Sequence, residues 1–185
     1  LMNTKEMKLV GVHNAENVMA AIAIAEAMRV PREIYLNTIK NFDAIEHRIE
    51  YVATIKDVVY YNDSKGTNTD ASKKALEAME NKTVLIAGGY DKGSEYDDWV
   101  EAFGDKIKCL VLLGATADKI EETARRHGFT NIRRVKSLQE AVVTASENAD
   151  AGETVLLSPA CASWDMFKSY EERGKLFKQY VKELR

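Results

Sequence analysis

The chain has 185 residues, with 26 Lys and Arg against 29 Asp and Glu, a formal net charge of −3, and 45% hydrophobic and 30% charged residues. This is an ordinary globular composition, long enough for one to one-and-a-half domains and a core that needs no staples. It excludes a broad basic field, and with it nucleic acid as a natural partner; no apolar run reaches the ~20 residues that span a bilayer, and no charged-then-apolar leader opens the chain, so a cytoplasmic protein that meets no membrane is expected.

In chain order, Leu1-Met2-Asn3-Thr4-Lys5 resembles neither a targeting segment nor a normal domain opening, and a piece of a longer protein is expected. Val18, Ala21, Ile22, Ala25 and Met28 recur at steps of three and four, which predicts a helix over 14–29, stopped before Pro31. A short helix over 32–41 and a linker over 42–45 follow. Thr54 to Tyr61, rich in β-branched and aromatic residues, predicts one strand. Further strands are predicted over 83–87, 109–113, 132–135 and 154–157, as short continuous apolar runs suited to a parallel sheet covered on both faces. Between them come helices over 67–79 (with Thr67 as cap), 95–103 and 116–127, then a capping box at Ser137 and Glu140 and a last helix over 167–184. The alternation predicts an α/β fold: an open, mainly parallel, Rossmann-like sheet flanked by helices. Cys109 and Cys161 make no metal-like spacing and are expected as buried free thiols.

Ligands of such sheets bind beyond the carboxyl ends of the strands. Four loops at predicted strand ends should therefore lie along one edge: 62–68, 88–93, 114–116 and 158–163. The first places Asp63, Lys65 and Thr67 at a strand-to-helix turn, where free N–H groups and a partial positive charge suit an anion. A capped polar turn would look the same. Gly88-Gly89 permits positive φ or close backbone approach, with Lys92 as a cation on the same edge or merely in solvent. Ser158 to Ser163 is a run of small residues, and Ser163 could cap the last helical region or donate to a carboxylate. Cys161 has no His near it in sequence and is a poor candidate nucleophile. Asn14 and Asn17, one turn apart, could read a base edge or cap a helix; Arg48 suits a phosphate or a surface ion pair. No Gly-x-x-x-x-Gly-Lys-Ser/Thr loop and no acidic or histidine cluster for magnesium is present in the sequence.

Together these segments resemble the Mur ligases, ATP-dependent amide ligases of peptidoglycan precursor synthesis. His13-Asn14-Ala15-Glu16-Asn17 looks like that family's His-Asn-x-x-Asn helix, and Glu46-His47-Arg48 like its Glu-His-Arg. Asp63-Ser64-Lys65-Gly66-Thr67-Asn68 is similar to the Asp-Ser-Lys-Ala-Thr-Asn loop of the D-glutamate-adding members, with Gly66, a departure expected to loosen the loop, where Ala is frequent. The resemblance implies that 1–42 is the helical end of a central ATP-binding domain and 43–185 a whole carboxyl-terminal substrate-binding domain. It implies ATP with Mg2+ in the longer enzyme, the magnesium held outside this chain, and D-glutamate and UDP-N-acetylmuramoyl-L-alanine as small-molecule partners; a monomer is expected. It implies that Asn14 and Asn17 contact the adenine side of ATP, Arg48 and Lys65 its phosphates, and Asp63 its ribose. Thr67 and Lys92 would hold one carboxylate of D-glutamate, Ser163 and the backbone near Tyr170 the other. No residue is assigned as catalytic, and the piece alone is expected to be inactive. A non-catalytic nucleotide- or anion-binding module of the same fold is the rival expectation.

Overall fold

The computed structural model describes residues 2–43 and 45–184. It divides into two compact units, Leu1–Ile45 and Glu46–Arg185. Among the described residues the first holds a 3-10 turn at Thr4–Glu6 and two α-helices, α1 (Val12–Ala27) and α2 (Arg32–Asn41). Arg29 takes a left-handed φ of 58°, and Pro31 then fixes an extended entry into α2. Ile22, Tyr35 and Ile39 make a small buried core, with Met7, Val18 and Leu36 packed around it. Ala44, in the expected linker, lies outside the described residues.

The second unit carries the sheet. Among the described residues, six strands pair in the order β1-β2-β6-β3-β4-β5. They are β1 (Glu50–Ile55), β2 (Val58–Asn62), β3 (Thr83–Ala87), β4 (Ile107–Leu112), β5 (Ile132–Arg134) and β6 (Thr154–Leu157). All neighbours are parallel except β1 and β2. Here the structure corrects the sequence: the single strand expected over 54–61 is the end of β1, a turn and most of β2, the two strands of a hairpin. Lys56 and Asp57 both take positive φ, 50° and 63°, so the chain folds back between them.

Helices α3 (Thr69–Ala78), α4 (Asp97–Glu101), α5 (Ala117–Arg126), α6 (Leu138–Asn148) and α7 (Tyr170–Glu183) complete the unit. Side-chain alternation sorts the strands between two layers. Val84, Ile86, Cys109, Val111, Val155 and Leu157 face α6 and α7, where Ala141, Val142, Phe177 and Val181 close the core. The alternate residues Leu85, Leu110, Leu112 and Leu156 are equally buried and face the other layer. There α3, α4 and α5 pack side by side, with Trp99 edge-on to Phe103 at 4.8 Å.

Two caps also differ from expectation. Asn68, not Thr67, caps α3, its carboxamide oxygen accepting from the Ala71 N–H at 2.8 Å. Ser169, not Ser163, caps α7 through the Glu172 N–H. Thr116 precedes α5 but its side chain makes no cap bond. Ser137 caps α6 as expected, and the Glu140 carboxylate reaches back to the Lys136 N–H. No helix among the described residues is long and apolar enough to cross a membrane.

Candidate functional site

The parallel strands β2, β6, β3 and β4 end along one edge of the sheet. The loops after β2 and β3 lead to α3 and α4 on one face, whereas the loop after β6 leads to α7 on the other. A divergence of this kind at the carboxyl end of a strand is the usual ligand position in an open α/β sheet.

Hydrogen bonds lock the loops at this edge together. The Asp63 N–H donates to Leu157 O at 2.7 Å, and Ser158 Oγ donates to Asp63 Oδ2 at 2.7 Å. The Gly88 N–H donates to Pro159 O and the Tyr90 N–H to Ala162 O, both at 2.9 Å. Gly89 exchanges bonds with Thr116: its N–H donates to Thr116 Oγ1 at 3.0 Å, and its carbonyl accepts from the Thr116 N–H at 3.0 Å. Both glycines have positive φ, and a Cβ on either would strike a neighbouring carbonyl, Leu113 O or Ala162 O.

Arg173, on the first turn of α7, is the centre of this lattice and is 2% exposed. Its Nε donates to Ser64 Oγ at 3.0 Å and its Nη2 to Ser64 O at 2.8 Å. Its Nη1 reaches Cys161 O at 3.3 Å and Ala162 O at 3.4 Å. One guanidinium thus joins the loop after β2 to the loop after β6. Burial lowers its pKa to about 10, so it stays a cation at neutral pH. No carboxylate lies within ion-pair distance among the described residues. Sequence reasoning missed Arg173, because nothing in a helix-borne Arg about a hundred residues from the loop announces the contact.

The expected residues fall as follows. Lys65, Thr67, Lys92, Ser163 and Tyr170 all belong to this edge or to the first residue of α7 beside it. Lys65 Nζ stands over the Tyr170 ring, 5.5 Å from its centroid, and the Tyr170 carbonyl accepts from Ser64 Oγ at 2.7 Å. Lys92 is exposed, on a turn closed by the Gly93 N–H to Asp91 Oδ1 at 2.8 Å. Ser163 is buried, and its carbonyl accepts from the N–H groups of Met166 and Phe167. Arg48 is exposed between two left-handed residues, His47 (φ 68°) and Ile49 (φ 45°).

Asp63 differs from the others. Its carboxyl is tucked under the edge, only 4% exposed, taking the Ile49 N–H on Oδ1 at 3.3 Å and Ser158 on Oδ2. Burial pushes its pKa up to about 7, against the pull of those two bonds and of Arg48 and Arg173. Gly66 makes this possible, since a Cβ there would run into Asp63 Oδ2 and lie 2.9 Å from Ser158 Oγ. The missing Cβ at Gly66 therefore has a packing role beside the Asp63 carboxyl. His47, singled out in the Glu-His-Arg motif but given no role, braces the other end: its carbonyl accepts from the Lys65 N–H at 3.0 Å and Asn62 Nδ2 lies 3.0 Å from its Nδ1. Burial holds its pKa down.

Asn14 and Asn17 lie on α1 of the first unit. Asn14 Nδ2 donates to Val10 O at 2.8 Å, and Asn17 is exposed. Both cysteines are buried free thiols. Cys161 Sγ sits 3.1 Å from Tyr96 Oη and 3.3 Å from Thr116 Oγ1, and burial pushes its pKa up, the opposite of what activates a thiol. Among the described residues no group of three His, Cys, Asp or Glu side chains could hold a metal ion.

Residues 47–161 match the family model described as Mur ligase, glutamate ligase domain. The chain is 57% identical over 183 residues to a UDP-N-acetylmuramoylalanine–D-glutamate ligase of Lachnoclostridium phytofermentans, covering 99% of this chain and 40% of that protein. It is 54% identical over 184 residues to a protein of the same description from Lachnospira eligens, covering 100% of this chain and 41% of the other. This chain therefore spans about 40% of the length of these curated relatives. Among solved structures, UDP-N-acetylmuramate-alanine ligase of Thermotoga maritima superposes with a TM-score of 0.71 at 16% identity, over 96% of this chain and 39% of that one, a likeness of fold.

Proposed function

The chain belongs to the Mur ligase family, and on that premise we propose that it is the carboxyl-terminal part of an ATP-dependent ligase joining D-glutamate to UDP-N-acetylmuramoyl-L-alanine. The observation that carries this reading is the placement of Lys65, Thr67, Lys92 and Ser163 on loops bonded to one another at one sheet edge, in a chain similar over its whole length to ligases of that description.

In the proposed reaction ATP phosphorylates the muramoyl-alanine carboxylate. The D-glutamate amine attacks the acyl carbon, the carbon–oxygen bond to phosphate breaks, and the nitrogen loses a proton. Arg48 and Lys65 hold the nucleotide phosphates. Thr67 and Lys92 hold one carboxylate of D-glutamate; Ser163 and the backbone near Tyr170 hold the other. A diacid gripped at both ends has its amine aligned, so the gain is positional. Asp63 takes a ribose hydroxyl on a lone pair that Ile49 and Ser158 leave free. The first unit is the helical end of the ATP-binding domain, with Asn14 and Asn17 toward the adenine; Mg2+ is held by the longer enzyme. The 185 residues alone turn over nothing.

The test is phosphate release by the full-length enzyme with ATP and the UDP-sugar, with and without D-glutamate. Release dependent on D-glutamate, with amide formed in equal amount, is expected. Nucleotide binding without any turnover would leave a non-catalytic binding module, and dependence on another amino acid would move the acceptor.

A further inference from the structure

Two large apolar side chains stand exposed on the same edge, Tyr90 at 44% and Trp164 at 65%. Their rings meet at 5.6 Å between centroids, tilted by 51°. Neither stands on a loose tip. Tyr90 is bridged to Ala162 across the two loops. Trp164 follows Ser163, whose carbonyl is held by the Met166 and Phe167 N–H groups, and the next residue, Asp165, accepts from the Ala115 N–H at 2.9 Å. An aromatic pair displayed to water on pinned backbone gains nothing for folding, and contiguous exposed apolar surface of this kind marks a contact. The pair neighbours along the chain the two groups assigned above to opposite ends of the diacid: Lys92 is two residues from Tyr90, and Ser163 adjoins Trp164. What lies between two gripped carboxylates is a short aliphatic chain, which suits an aromatic face.

We propose that Tyr90 and Trp164 form the lip of the amino-acid subsite, closing over the carbon chain of the bound dicarboxylic amino acid. The proposal rests on the functional reading above and adds to it a specificity surface from side chains that grip no charge. Its contribution is to binding of the acceptor alone. The pair takes no part in holding ATP.

The test is steady-state ligation by the full-length enzyme, wild type against Trp164→Ala, Tyr90→Ala and Trp164→Phe. Both alanine variants are expected to raise the D-glutamate KM about ten-fold, the loss of roughly two buried methylene contacts, with the ATP KM unchanged. Trp164→Phe keeps an aromatic face and is expected to keep most of the affinity. In parallel, D-glutamate is titrated while tryptophan emission is followed. Trp99 is buried and Trp164 exposed, so Trp164→Phe is expected to remove the part of the D-glutamate-dependent signal that comes from this edge. An unchanged D-glutamate KM in both alanine variants, or an equal rise in the ATP KM, overturns the lip while leaving the ligase reading intact. A wild-type enzyme that ligates no D-glutamate overturns that reading, and the lip with it.

Discussion

At the scale of single residues, buried polar groups set the geometry of the edge while exposed ones are free to meet a ligand. Arg173 makes the difference plain: it adds to the Tyr90 N–H on Ala162 O and, among the described residues, is the donor that satisfies the buried Ser64 and Cys161 carbonyls. Arg173→Met would leave those acceptors buried and unpaired, at a cost of about 3 kcal/mol; urea unfolding measures it. Asp63 gives a pH dependence. Its folded pKa of about 7 lies above the ordinary carboxylate value, so between about pH 4 and pH 7 the folded state binds more protons than the unfolded one. Its contribution to stability is therefore full at low pH and is lost as the pH rises through 7. Asp63→Asn is expected to flatten that decline in a series of denaturation curves. Gly66→Ala sets a Cβ against Asp63 Oδ2, so the carboxyl must shift from its place beside Ser158 and the decline should change with it. A decline that survives both changes would assign it to another group.

At the scale of elements, α7 and the hairpin decide how the edge is presented. Gly174 lies against His47, and a Cβ would meet the imidazole. Ala is worth about 1 kcal/mol over Gly in a helix. Gly174→Ala is nonetheless expected to destabilise, because the ring is buried and held by Asn62; a raised urea midpoint would refute the close contact. In the hairpin, Asp57→Gly relieves a left-handed residue and should stabilise by about 0.5–1 kcal/mol in thermal unfolding. The same two elements show what could be read from the chain. Strands β3 and β6 were legible to the residue, because buried parallel strands are bare apolar runs bounded by turns. The hairpin was not, because Lys56-Asp57 carries none of the Asn-Gly or Gly signals that advertise two positive φ angles. The loops that form the edge were legible from where strands end. The bonds that tie them were not, because Arg173, His47 and Ser158 reach across layers and across sequence, and periodicity records only local geometry.

At the scale of the whole molecule, the two units differ in how much core each owns. The first buries Ile22, Tyr35 and Ile39, whereas the second encloses a sheet covered on both faces. Small cores are marginal. Amides of α1 and α2 are thus expected to exchange with solvent well before those of β3, β4 and β6; equal protection in hydrogen exchange would contradict the division. The second unit is rigid where its loops interlock and offers Lys65 and Lys92 from them. The central claim is that this edge grips the acceptor of an amide ligase. The measurement that meets it most directly is the kinetics of Lys92→Ala in the full-length enzyme, with D-glutamate and ATP varied separately. The account predicts a D-glutamate KM raised ten-fold or more, as about 1.5–3 kcal/mol of charge-assisted binding is lost, with the ATP KM unchanged. Unchanged use of D-glutamate would contradict it.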